Sequence, residues 1–149
     1  MQARMRVAFD TPLSAERIIA ALTDFSEARP AIWPGLDREK YEVYELGETC
    51  AVVREGTHRP NVWARERYDW SKPGTVSWSL EASNVFRRGS TMEAVVTPHA
   101  SGGSHFEIHA QRIAATPVGY VLVALLALFG RRFLLSTYKA RFDEIAAHS

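Results

Sequence analysis

The sequence predicts an α+β fold: a seven-stranded antiparallel sheet, two short helices after the first strand, and one long C-terminal helix laid across the sheet. Three observations predict it. Residues 41–112 read as short runs alternating apolar and polar, broken by turn residues. Residues 6–24 read as a short strand, a turn and a capped helical run. After Pro117 the chain reads as one long helix.

Each element has its own local reason. "RVAFD" alternates and forms the first strand, and "TP" turns the chain. Ser14 caps a helix through "AERIIAALTD", with Ile18, Ile19 and Leu22 on one side. Asp24 is expected to cap a second short helix through "FSEARPAIW", interrupted or ended by Pro30. Six further strands follow over 41–47, 50–57, 62–70, 75–83, 90–98 and 104–112. "GE", "HRPN", "SKPG", "RRG" and "SGG" sit at the breaks as hairpin connections, so neighbouring strands run antiparallel. In the last helix Leu134, Tyr138, Phe142 and Ile145 recur on one face, and Lys139, Asp143 and Glu144 take the other. Gly130 is a point where that helix is expected to kink or loosen.

Composition narrows the function classes. The chain has 149 residues, enough to bury a core without metal or disulfide staples. Its 18 basic and 17 acidic side chains give a net charge of +1, with no basic stripe to collect nucleic acid. The single cysteine, Cys50, forms no internal disulfide and suits a reducing compartment; a small buried thiol is expected there. "MQARMRVAFD" has no apolar run of signal-peptide length, so a cytoplasmic location is expected.

"PVGYVLVALLALFGRR", residues 117–132, allows two readings. As a helix, its apolar core from Val118 to Phe129 is roughly 18 Å long, against about 30 Å of hydrocarbon. Arg131 and Arg132 at one end do fit a positive-inside pattern. The sheet, however, needs a cover for its apolar face, and the two short helices are insufficient. A buried helix is therefore expected, not an integral span, with Arg131 and Arg132 marking where it leaves the core. Peripheral contact with a bilayer is the remaining membrane reading.

The element order is the helix-grip arrangement. On "TPLSAERIIAALTDFSEARPAIWPGL", "YDWSKPGTVSW" and "SGGSHFEIHAQR", the chain resembles the START-like superfamily, in the branch of polyketide cyclases/dehydrases and lipid-transport proteins (SRPBCC). The resemblance covers nearly all of residues 1–149 as one domain. It implies a seven-stranded sheet wrapped around the C-terminal helix, with a mostly apolar cavity between them opening near the short helices. It also implies a hydrophobic ligand such as a lipid or polyketide, and in a minority of members a reaction on that ligand.

Candidate residues follow from strand alternation. In "VWARERYDW" the set Ala64, Glu66, Tyr68 and Trp70 is expected inward. Glu66 and Tyr68 are then the candidate acid/base pair, because a carboxyl against apolar walls has a raised pKa. A strand Glu also serves as a surface partner for a cross-strand Arg. In "TVSWSLEAS", Val76, Trp78, Leu80 and Ala82 form the apolar face; Trp78 is core or cavity wall. Trp33 and Phe86 are gate candidates, and Asn84 is a polar group to orient a ligand. On the helix, Leu122, Leu126 and Phe129 complete the ligand-binding set. His105, Glu107 and His109 share one strand face and are metal-capable types. Phe106, Ile108 and Ala110 hold the opposite, core-facing side, so these three belong to a solvated face and no metal or cofactor is expected. There is no "GxSxG" elbow, Walker loop or "GxGxxG". The leading expectation is a carrier or sensor of a hydrophobic or amphipathic small molecule. The alternative is a polyketide cyclase/dehydratase-type enzyme using the same cavity.

Overall fold

A computed structural model of the chain describes residues 1–148. The elements are β1 (Gln2–Thr11), α1 (Ala15–Leu22), α2 (Arg29–Ile32), β2 (Glu42–Leu46), β3 (Cys50–Thr57), β4 (Val62–Asp69), β5 (Thr75–Ser83), β6 (Thr91–Pro98), β7 (Ser104–Ile113) and α3 (Pro117–Ala147). The seven strands form one antiparallel sheet in the order β1-β7-β6-β5-β4-β3-β2. All but one of the neighbours are consecutive hairpins; β1 closes onto β7, from Gln2 opposite Ile113 to Thr11 opposite Ser104. This is the helix-grip arrangement expected from the sequence.

Alternation sends Met5 and Val7, Val76 and Trp78, Met92 and Ala94, and Phe106 and Ile108 to one face, where all are buried. Their registers align into rows. Ala51 faces Tyr68, Tyr68 faces Trp78, Trp78 faces Met92, Met92 faces Ala110, and Ala110 faces Met5. That row crosses six strands and forms the floor of the concave side.

The helices close the ends. Ser14 Oγ accepts from the Arg17 N–H at 3.3 Å and caps α1, as the sequence predicts. Asp24 does not cap α2. It accepts from the Ser26 N–H instead, and α2 begins later, at Arg29, with Pro30 inside its first turn rather than at its end. Ala82 also departs from the expected face. A bulge between the Arg65–Ala82 and Glu66–Leu80 pairs inserts Glu81, whose carboxylate accepts from both Arg65 and Arg67 at 3.1 Å, and Ala82 turns outward. Cys50 is exposed rather than buried, because it opens β3 at the β2–β3 hairpin beside the sheet's edge strand.

α3 runs unbroken through Gly130, which serves close packing and not a kink. A Cβ at 130 would sit 2.1 Å from Met5 Sδ, and one at Gly119 would sit 2.1 Å from the Val85 carbonyl oxygen. The helix packs chiefly on β1 at the sheet's edge, and its buried residues are Gly119, Val123, Gly130, Leu134 and Phe142. Its apolar first half is therefore covered on one side only. The expected burial of this stretch holds only in part: 22% of the helix's most apolar 18-residue stretch is buried. Nor do Arg131 and Arg132 mark an exit from the core, since Leu134 and Phe142 beyond them are buried.

Candidate functional site: a cavity between sheet and helix

Because α3 leans on β1, the concave face of β3 to β6 lies open beneath it. The gap is a cavity of about 810 Å³. Tyr68, Trp78, Met92, Ala110 and Met5 form its floor, and Leu122, Leu126, Phe129, Phe133 and Tyr138 form the helical wall. Trp33 to Leu36 and the β3–β4 hairpin (Thr57, Pro60, Val62) border it at the side.

Two charged groups of residues are built into these mostly apolar walls. Arg29, 5% exposed, donates from Nε to Glu55 Oε2 at 2.8 Å and from Nη1 to the Leu22 and Asp24 carbonyls at 3.0 and 3.1 Å. Its guanidinium also lies 4.3 Å from the centre of the Phe25 ring. Glu55 receives a second bond from the Tyr68 hydroxyl. Burial alone would lower the Arg29 guanidinium, but the Glu55 carboxylate holds it up. Burial and the neighbouring Glu55 charge push the Tyr68 hydroxyl well above the ordinary tyrosine value. The second group is Glu66 with Arg112, at 3.3 Å from Nη1 to Oε2 and 3.5 Å from Nη2 to Oε1. Arg112 also touches Met92 Sδ at 3.2 Å and lies over the Phe86 ring. Burial raises the Glu66 carboxyl, against the opposing pull of Arg112.

A tyrosine at the inner wall offers a free hydroxyl. The Tyr138 hydroxyl makes no hydrogen bond to a described residue, although its ring packs against Trp33, Phe106 and Phe142. Burial among these rings raises its pKa.

The structure brings Trp33, Glu66, Tyr68, Trp78, Phe86, Leu122, Leu126 and Phe129 together around this cavity. Trp78 stacks on Tyr68 with centroids 5.1 Å apart, and Trp33 Nε1–H donates to the Ala21 carbonyl at 3.2 Å. Trp70 and Asn84 lie elsewhere, which corrects their expected place. Trp70 follows the end of β4, and its ring packs on Phe25 at 5.8 Å. Asn84 ties the end of β5 to the hairpin before β4, accepting from the Trp63 N–H and donating to the Asn61 carbonyl. Glu66 and Tyr68 do not bond each other; each is held by a different arginine-bearing group.

Sequence reasoning missed Arg29, Glu55, Arg112 and Tyr138. Three of the four carried a signal. Glu55 shares strand parity with Ala51 and Val53, Arg112 with Ile108 and Ala110, and Tyr138 lies in the Leu134–Phe142 repeat. Arg29 had none, since an arginine before proline in a four-residue helix reads as surface.

The outer face of the sheet is different in kind. Asp10 binds His99 and His105 at 3.0 and 2.9 Å, while Glu107 accepts from Arg6 and pairs with His109. A shallow concavity there includes Arg4, Arg6 and Arg67, whose side chains bond Gln111, Glu107 and Glu81. It is a solvated, cross-strand-paired surface.

Comparison with known proteins adds the fold's name. No family model matches the sequence, and no curated protein matches it. Solved structures do match. A START superfamily protein from Mycobacterium smegmatis has a TM-score of 0.75 at 14% identity, over 95% of this chain and 98% of that one. The Zhui aromatase/cyclase from Streptomyces sp. R1128 has a TM-score of 0.66 at 16% identity, over 95% and 87%. Norcoclaurine synthase from Thalictrum flavum, solved with dopamine and hydroxybenzaldehyde, has a TM-score of 0.71 at 12% identity, over 99% and 88%. With the sheet order, the long α3 and the cavity beneath it, these likenesses give the chain the START-like, SRPBCC-type helix-grip fold.

Proposed function

We propose that this protein is a carrier or sensor that binds a hydrophobic or amphipathic small molecule between the sheet and α3. The observation that carries the reading is the 810 Å³ cavity itself, which falls in the size range of small-molecule sites and is walled mainly by aliphatic and aromatic side chains. Burial supplies most of the affinity, at about 25 cal/mol per Å² of apolar surface before ordering costs. The unpartnered Tyr138 hydroxyl gives the ligand one hydrogen-bonding group, while the ion pairs are already satisfied within the protein. The shared fold of ligand-handling proteins supports the same class without naming the molecule. Native mass spectrometry of protein purified from cells without detergent, with displacement of a lipophilic dye, tests it. A bound mass released by organic solvent and a displaceable dye are expected; an empty protein that binds no dye overturns the reading.

One observation favours a second reading, an enzyme of the cyclase/dehydratase type. Glu66 is a buried carboxyl whose pKa burial raises, and it borders the cavity, which suits acid/base work. Tyr68 does not share the role, because its hydroxyl is committed to Glu55. If Glu66→Gln leaves turnover of a confirmed substrate unchanged, that mechanism is wrong.

A further inference from the structure

Eight of the eleven exposed large hydrophobic side chains among the described residues lie on α3 between Val118 and Leu135. Leu128 is 74% exposed and Val121 61%, on the side of the helix turned away from the sheet. Leu125, Phe129 and Phe133 are exposed too, and they form the lip of the cavity. Soluble monomers rarely leave so continuous an apolar patch bare.

The charges on the chain segments that carry and adjoin this patch are of one sign. Residues 113–138 contain no Asp or Glu, yet carry Arg131 and Arg132. The neighbouring stretch 82–92 also lacks acids and carries Arg87 and Arg88. It abuts the start of α3 through the Ala115 N–H bond to the Val85 carbonyl and the close approach of Gly119. All four arginines are exposed, and none forms an ion pair with a described residue, unlike Arg6, Arg65 and Arg67 on the sheet's outer face.

We infer that the outward face of α3, with Arg87, Arg88, Arg131 and Arg132, is a docking surface for an anionic phospholipid bilayer. Leu, Val and Phe side chains enter the boundary between headgroups and acyl chains, and the guanidinium groups reach lipid phosphates along their rim. The helix lies on the membrane and does not cross it, because Val123, Gly130, Leu134 and Phe142 remain packed on the sheet. A second copy of the chain fits less well. A two-fold contact through this face would bring unpaired arginines together with no acidic side chain to neutralise them, whereas lipid phosphates supply that charge. Docking would set the lip of the cavity against the lipid. The inference goes beyond ligand binding and does not require it.

The test is co-sedimentation of the full chain with phosphatidylcholine vesicles, with and without about 30% phosphatidylglycerol. Binding to the anionic vesicles, weakened by salt, is expected. Arg131→Gln with Arg132→Gln should weaken it roughly twenty-five-fold, from about fivefold per arginine. Leu128→Glu and Val121→Glu should each weaken it at least about tenfold, with melting and dye binding in vesicle-free solution unchanged. Neither of these two residues lines the cavity. Wild-type protein left in the supernatant, or variants that sediment like the wild type, would overturn the inference. So would a dimer without lipid affinity that Leu128→Glu converts to monomer, which would assign the face to a second copy. Vesicle binding without dye binding supports docking and counts against the ligand-binding reading; dye binding without vesicle binding does the reverse.

Discussion

Glu66 on β4 and Arg112 on β7 meet at 3.3 Å across the concave face, although β5 and β6 lie between their strands. Only a sheet bent enough to fold back on itself brings these side chains together. The pair is thus a measure of the curvature that makes the cavity. Removing one partner leaves a buried charge, so Arg112→Met should cost about 3–5 kcal/mol in chemical denaturation. A cost within experimental error would mean that the pair is not closed in solution.

The same pair has a pH signature. Burial raises the folded-state pKa of Glu66 above the ordinary 4.5. The folded chain therefore holds this proton where the unfolded chain has already released it. The contribution of Glu66 to stability is full below about 4.5 and is lost as pH rises through its raised folded value. The stability of the wild type relative to Glu66→Gln should accordingly fall as pH rises through that window. A difference that instead grows with pH would show a carboxyl held down by Arg112 rather than raised by burial.

Arg29 joins α2, the end of α1 and β3 through one guanidinium. Arg29→Met should destabilise the fold by about 3–5 kcal/mol, because Glu55 stays buried with only Tyr68 as partner. Glu55→Gln in that background should recover part of the loss. Additive effects in the double-mutant cycle would deny the coupling.

Two glycines on α3 separate packing from helix propensity. Alanine in place of glycine favours a helix by about 1 kcal/mol. At 119 the new methyl meets a backbone carbonyl, and at 130 it meets the flexible end of Met5. Gly119→Ala should therefore lower stability by about 1–3 kcal/mol, while Gly130→Ala should stay within about 1 kcal/mol of the wild type. Thermal melts that reverse this order would place the start of α3 away from Val85.

The sheet was legible in the sequence because most strands alternate and each break carries turn residues. "TVSWSLEAS" read correctly as far as Leu80, and failed at Ala82 because a bulge depends on the partner strand and not on local pattern. The cavity wall was legible where parity is strict, as at Glu66, Tyr68 and Trp78. It failed at Trp70 and Asn84, which sit beyond strand ends where alternation no longer fixes direction. The least legible feature was the seat of α3. The uncharged stretch 117–130 suggested a buried helix, but not which of its sides meets the sheet. The seat of α3 rests on two glycines: Gly130 admits Met5 of β1, and Gly119 admits the Val85 carbonyl beyond the end of β5.

Within the cavity, the Tyr138 hydroxyl is the group that most directly tests ligand polarity. Tyr138→Phe should leave stability within about 1 kcal/mol, since no protein hydrogen bond is lost. It should weaken a ligand that bonds the hydroxyl roughly three- to tenfold. Unchanged affinity for every bound ligand would make Tyr138 a packing residue only.

The central claim is that the space between sheet and helix is where the ligand sits. The most direct measurement is a fluorescence titration with a lipophilic dye, comparing the wild type with Ala64→Trp, which puts a large ring into the cavity from β4. Saturable binding by the wild type, with loss of about tenfold or more in a variant of unchanged fold, is the predicted result. Equal binding by a folded Ala64→Trp protein would place the dye outside the cavity and contradict the account.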